Sequence, residues 1–201
     1  MENRKTTNVL IVGVGGQGII LASEVLALVC LAAGYDVKQS EVHGMAQRGG
    51  SVTSHIRFGP KVHSPTIERG RTDVLLSFEL LEGRRWFDYL SPTGIAIVNS
   101  LRIDPMPVAS GKEKYPDNIE AELRAKCHHL DLVDGLRLAQ KAGNTRSVNV
   151  VLLGALSRYL EFDISLWRQA IADRVPQKTI DINLRAFNFG RQIVPHSSET
   201  A

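Results

Sequence analysis

A short apolar run ending in a glycine-rich turn constrains this chain more than any other feature. Asn8 to Val12 reads NVLIV, a branched, continuous stretch of the kind buried on both faces of a parallel sheet, and GVGGQG follows at 13–18. An apolar helical run then extends to about Ala33 with Gly34 as its stop, and Tyr35 to Ser40 (YDVKQS) supplies a second strand. Strand, glycine turn, helix and strand make a βαβ unit. Gly13, Gly15 and Gly18 match the G-x-G-x-x-G spacing, with Gly16 and Gln17 completing the turn. Glycines there permit close backbone approach, and free N–H groups at the helix start attract phosphate. The turn is expected to hold a phosphate or similar anion; a purely structural turn is the alternative.

The second half of a dinucleotide fingerprint is missing. An acidic residue should close the second strand and bind a ribose hydroxyl. That strand instead ends Lys38-Gln39-Ser40, with Glu41 just beyond in loose register. NAD is therefore disfavoured. No Gly-Lys-Ser/Thr follows the turn, so it is not a P-loop either.

SEVHGMAQRGGS at 40–51 follows the second strand, at the carboxyl edge where ligands collect in doubly wound sheets. Residues 41–50 read as a polar loop with three glycines and no helical or strand periodicity. Arg48 suits bidentate binding of a phosphate or carboxylate, and Gly49-Gly50 lets the backbone come close. Ser40, Glu41, Gln47, Arg48, Gly49 and Gly50 join Gly13, Gly15, Gly16, Gln17 and Gly18 as the expected ligand contacts. His43 and Arg48 are the two catalytic candidates, set against a plain solvated loop.

Alternation in Ser51 to Phe58 predicts a strand with one wetter face carrying Thr53, His55 and Arg57. KVHSPTI should return as a short edge segment. Further expectations are a buried strand at Asp73–Phe78, a helix from about Glu79 to Leu90, a turn at 91–94 and a strand at Ile95–Asn99. Ile103 to Pro116 reads as loop with one short strand near Val108. A helix from about Asn118 to Lys126, a strand at His129–Val133 and a helix at Gly135–Ala142 ending at Gly143 continue the alternation. From Val148 onward, apolar residues at three- and four-residue spacing predict three helices on one side of the sheet. The expected fold is α/β: a three-layer Rossmann-like sheet (about 1–146) with a helical C-terminal part (about 147–194) and a tail at 195–201, all one domain.

Other functions find little support. Net charge is +3, with no Lys/Arg stripe for nucleic acid. Ile19 to Ala33 is shorter than the roughly 20 residues a membrane span needs, and no secretory signal precedes the glycine turn. Cys30 and Cys127 are too few for an iron–sulfur cluster, and a reducing, cytoplasmic setting fits them. His55, His63 and His128-His129 lack partners at metal-ligand spacing, so no metal is expected. No nucleophile–base pattern stands out, and the chain carries no self-sufficient catalytic set.

Several segments together resemble a known family. GVGGQG after a first strand, QSEVHGMAQRGGSVTSHIRFG (39–59), SPTI (64–67), TDVLLSFELLEG (72–83), GNTRSVNVVLLGAL (143–156) and VPQKTIDINLRAFNFG (175–190) are similar, in order, to the gamma-type domain of 2-oxoacid:ferredoxin oxidoreductases. The SEV-x-GMAQRGG version resembles the indolepyruvate (aryl-pyruvate) type, in which this domain is a separate small subunit.

That resemblance implies a reaction that composition does not. A 2-oxoacid is decarboxylated on thiamine diphosphate, electrons pass through iron–sulfur clusters to ferredoxin, and coenzyme A takes the acyl group. Thiamine diphosphate and the clusters are expected on a large (alpha) subunit, with this chain completing the active site at the interface. His43, Gln47, Arg48 and the loop amides would then contact the 2-oxoacid carboxylate, coenzyme A or the thiamine diphosphate. Asn149 matches the family's GN…N…GAL segment, as loop support or as helix-start packing. Lys178, Asn183 and Phe187 match its tail pattern as structural or interfacial residues. Two readings outside the family stay open: a nucleotide-binding oxidoreductase, and a non-catalytic nucleotide-sensing or assembly module.

Overall fold

The computed structural model describes residues 6–44 and 50–193. Strands β1 (Thr7–Val14), β2 (Asp36–His43), β3 (Ser51–Gly59), β4 (Thr72–Ser77), β5 (Leu90–Asn99) and β6 (His129–Val133) form one mixed sheet in the order β2-β3-β1-β4-β5-β6. β1, β4, β5 and β6 run parallel, whereas β3 is antiparallel to both β1 and β2. The helices are α1 (Ile19–Ala32), α2 (Leu80–Arg85), α3 (Met106–Ala109), α4 (Ile119–Lys126), α5 (Gly135–Ala142), α6 (Val148–Leu156), α7 (Ile164–Arg174) and α8 (Ile180–Arg191).

Alternation along each strand divides the core between two faces. Val9, Ile11, Ile56, Val74, Leu76 and Ile97 face a layer containing α1, α5 and α6, with α7 and α8 packed on those helices. Ala96, Val98 and Leu130 face Ile119 and Leu123 of α4, while Leu10, Val12 and Leu75 are covered by Ile67. The fold is α/β, as expected. α6 is buried all round, which explains its uniformly apolar sequence. It crosses α8 so closely that a Cβ on Gly154 would strike the Phe187 carbonyl, and one on Gly190 the Val151 carbonyl.

Several local expectations are corrected. β2 runs on to His43, so Glu41 and Val42 belong to a strand and not to a loop. β2 is an edge strand, where polar residues are tolerated and the apolar signal of a buried strand is lost. β3 sits between β1 and β2, so the two parallel strands of the βαβ unit are not neighbours. The predicted wet face of β3 is covered: Thr53 and His55 are buried, and the Ile67 N–H donates to His55 Nδ1 at 3.2 Å.

The 60–71 segment that covers them forms no strand. Ser91–Gly94 lies inside β5, where the pairing with β4 shifts register between Thr72 and Val74. The segment near Val108 is the short helix α3, because Pro105 and Pro107 favour a helical start over a ladder. The helix expected to reach Leu90 breaks at Trp86 into α2 and a 3-10 turn, Phe87–Tyr89.

Candidate functional site

β1, β2, β4, β5 and β6 all end at one edge of the sheet, where β3 begins, so every connection leaving that edge can contribute to one surface. The glycine turn lies there. Gly16 (φ 98°) and Gly18 (φ 83°) occupy left-handed backbone that other residues rarely adopt. Gly13 is needed for a different reason: a Cβ would fall 2.7 Å from both Gln17 Oε1 and Phe78 Cβ.

Gln17 holds the turn together. Its Oε1 accepts from the Val14 N–H at 2.7 Å, and its Nε2 donates to the Phe78 carbonyl at 3.0 Å. The Asn99 Nδ2 donates to the same carbonyl at 3.0 Å, and Asn99 Oδ1 accepts from the Gly135 N–H at 3.0 Å. These bonds tie the turn to the ends of β4, β5 and β6. Gly18 is the N-cap of α1, which has no side-chain cap and no acidic residue in its first turn. The first N–H groups and the positive end of the helix dipole thus carry no side-chain cap.

The second sequence-predicted loop comes back to the same place. The Gly15 N–H donates to the Gly50 carbonyl at 2.9 Å, and the Gly44 N–H donates to the Ser51 carbonyl at 3.1 Å. The structure therefore brings Gly13, Gly15, Gly16, Gln17, Gly18 and Gly50 together. Gln47, Arg48, Gly49 and the side chain of His43 lie outside the described residues.

Two predicted contacts face elsewhere. The Glu41 carboxylate turns to α1, where its Oε1 accepts from Ser23 Oγ (3.1 Å) and Gln39 Nε2 (2.8 Å). Ser40 is paired with His55 across the sheet and lies on the face away from α1, roughly 10 Å short of the strand end.

Sequence reasoning missed a carboxylate pair beneath this edge. Glu79 is buried at the N-cap of α2: its Oε2 accepts from the Glu82 N–H (2.8 Å), and its Oε1 from Tyr115 Oη (2.8 Å) and the Ile103 N–H (3.1 Å). Burial, and then the bond to Glu79, push the Tyr115 phenol well above its ordinary pKa. Glu82, also buried, accepts from Ser51 Oγ at 2.5 Å and from Arg85 Nη1 at 2.6 Å. The E-x-x-E spacing of a helix start was the available signal.

Among the described residues, no group of three or more His, Cys, Asp or Glu side chains could hold a metal ion, and no helix is long and apolar enough to cross a membrane. Cys30 is fully buried, and burial pushes its thiol far above the ordinary range. Asn183 donates to the Thr179 carbonyl, Phe187 is fully buried, and Lys178 is exposed. A cleft of about 560 Å³ lies at the opposite sheet edge beside Asn8, Arg57 and Asp73. Its Arg57 is already engaged with Asn8 Oδ1 and the Ser64 carbonyl.

Such a surface defines a class: an α/β domain with a hydrogen-bonded glycine turn at the carboxyl edge of its sheet. The family model for pyruvate ferredoxin/flavodoxin oxidoreductase matches residues 8–193, and the chain belongs to that family. Indolepyruvate oxidoreductase subunit IorB of Thermococcus kodakarensis is 41% identical over 194 residues, covering 92% of this chain and 95% of the relative. IorB of Pyrococcus horikoshii is 40% identical, with the same coverage. Among solved structures, pyruvate oxidoreductase subunit PORC from Thermotoga maritima shares the fold with a TM-score of 0.70 at 24% identity, covering 92% of this chain and 95% of that one.

Proposed function

We propose that this chain is the small subunit of an indolepyruvate-type 2-oxoacid:ferredoxin oxidoreductase and completes the active site of a larger partner. The observation that carries this reading is the end-to-end similarity to IorB proteins at 40–41% identity. The geometry supports the division of labour. A buried Cys30 and a single further cysteine, Cys127, do not fit an iron–sulfur cluster, which needs about four thiolates. On the large subunit, thiamine diphosphate supplies the electron sink for decarboxylation, and iron–sulfur clusters supply the route to ferredoxin.

This chain's own residues bind and orient. The uncapped start of α1 and the amides of Gly16 and Gly18 present donors to an acidic group. The bond between Gly15 and Gly50 keeps Gly50 beside them, and the roles assigned to His43, Gln47, Arg48 and Gly49 are contacts to the 2-oxoacid carboxylate, coenzyme A or the diphosphate. Rigid donors aimed at one charged group exclude water and fix its position without reorganisation. The two free cysteines fit a cytoplasmic complex. A free-standing nucleotide oxidoreductase is disfavoured because Glu41, the acid nearest the required position, is directed at Ser23.

A substrate panel tests the reading. With the large subunit present, kcat/KM for indolepyruvate and other aryl-pyruvates should exceed that for pyruvate and 2-oxoglutarate. Preference for either of the latter two would contradict the indolepyruvate assignment.

A further inference from the structure

Residues 104–114 leave the sheet at the carboxyl end of β5 and return to it at the start of α4, and both ends of the segment are fastened to one oxygen. Glu79 Oε1 accepts from the Ile103 N–H at 3.1 Å and from Tyr115 Oη at 2.8 Å. Beside it, the Leu80 N–H donates to the Leu101 carbonyl at 3.0 Å, and the Arg102 guanidinium lies over the Tyr115 ring, 4.1 Å from its centroid. A buried carboxylate at the N-cap of α2 thus closes the base of a compact surface loop. Loops with their ends held together in this way recur at functional surfaces.

Inside the loop the backbone is bonded to itself. The Val108 and Ala109 N–H groups donate to the Pro105 carbonyl at 2.9 Å, and those of Lys112 and Glu113 to the Pro107 carbonyl at 2.9 and 3.1 Å. Gly111 makes the reversal at φ 74°. Val108 turns inward against Ala96, Val98 and Ile119. Met106, on the same short helix α3, turns outward and is 79% exposed, more than any other large apolar side chain among the described residues. An adaptable apolar side chain held out on a self-bonded loop offers contact area at reduced ordering cost.

Position and charge identify what it meets. The loop rises from the edge that carries the glycine turn: Glu79 follows Phe78, whose carbonyl accepts from Gln17 Nε2. Ile20, Val42 and Leu136, three further exposed apolar side chains, belong to elements that start or end at the same edge. Arg102 pairs with Asp104 at 2.6 Å, which leaves Lys112 and Lys114 against Glu113 as the remaining exposed charges of the loop. The matching surface is an apolar socket with an acidic rim, on a partner that reaches across the carboxyl edge.

We infer that the 104–114 loop is a preformed docking element for the large subunit, with Met106 as its apolar anchor. The inference rests on the small-subunit reading for the identity of the partner, and it adds to that reading the surface by which the two chains join.

The affinity of the full-length chain for the purified large subunit, measured by titration calorimetry, tests it. Met106→Glu should raise the dissociation constant about tenfold or more, the effect of losing an interface anchor, while Met106→Leu stays close to the wild type. Reversal of both loop lysines, Lys112→Glu with Lys114→Glu, should slow association at low salt. Leu31→Glu, 55% exposed at the far end of α1, is the control and should bind as the wild type does. All these positions are exposed, so each variant should keep its unfolding midpoint.

Wild-type affinity in Met106→Glu would overturn the inference, as would binding weakened by Leu31→Glu alone. Self-association of the isolated chain, seen by sedimentation and abolished by Met106→Glu, would assign the anchor to a second copy and overturn it as well. Each of these results leaves the small-subunit reading standing. A wild-type chain that does not bind the large subunit at all would reject that reading, and the inference with it.

Discussion

The Ser51 hydroxyl donates to the Glu82 carboxylate at 2.5 Å, joining the first residue of β3 to the helix that follows β4. Gly50, one residue before, accepts from Gly15. A buried carboxylate thus anchors the return of the 40–51 segment against the glycine turn. Glu82→Ala should destabilise the chain by about 1–3 kcal/mol, because Ser51 loses its buried acceptor. Loss of Arg85, half exposed on the other side of the carboxylate, should cost far less. Urea denaturation of Glu82→Ala and Arg85→Ala measures both, and equal effects would argue against the anchor.

Gln17 should matter through the backbone it satisfies and not through contact with a ligand. Gln17→Ala leaves the buried Val14 N–H without its acceptor, whereas the Phe78 carbonyl keeps Asn99. The expected loss is about 1–3 kcal/mol of stability. Faster hydrogen exchange at Val14 and the turn amides is the specific signature to measure.

Acidification should weaken the fold through His55. Burial lowers its pKa below the ordinary value, and its Nδ1 must be unprotonated to accept from Ile67. In the unfolded chain the imidazole gains its proton near pH 6.5; in the folded chain it does so only at lower pH. Between those two values the unfolded state binds more protons, so stability falls as pH drops below about 6.5. The urea midpoint of the wild type should therefore decline from pH 7 toward pH 5, and a His55→Gln variant should lose that part of the decline. A parallel decline in both proteins would assign the effect to other groups.

Arg48 is expected to act on ligand and not on folding. Arg48→Ala should lower kcat/KM of the assembled complex by roughly ten- to a hundredfold, the magnitude of a charge-assisted contact. The unfolding midpoint of the subunit should stay within experimental error. Unchanged turnover would remove Arg48 from the site.

How much of this was legible depended on burial. The strands β1 and β4 are buried and carry continuous apolar runs, and the limits of β6 and α5 match the sequence expectation. Gly143 ends α5 at φ 103°, as a C-terminal glycine should. The edge strand β2 reads as loop beyond Ser40, since Gln39 and Glu41 satisfy each other and Ser23 on the side of α1. Strand order is a tertiary choice, so nothing local to Ser51–Gly59 says that it inserts between β1 and β2.

At the candidate site, the glycine turn was legible from spacing, but the direction of Ser40 and Glu41 followed from strand register. The partners of Glu79, Glu82, Asn99 and Asn149 come from segments up to 131 residues away in sequence, as Gly18 and Asn149 do. Periodicity carries no information over such separations.

The most direct test of the central claim is an omission experiment. The large subunit, with ferredoxin, indolepyruvate and coenzyme A under anaerobic conditions, is assayed for ferredoxin reduction with and without this chain. Reduction that requires the chain and saturates at a fixed ratio of the two subunits is the predicted result. Full activity from the large subunit alone would contradict the proposal that this chain completes the active site.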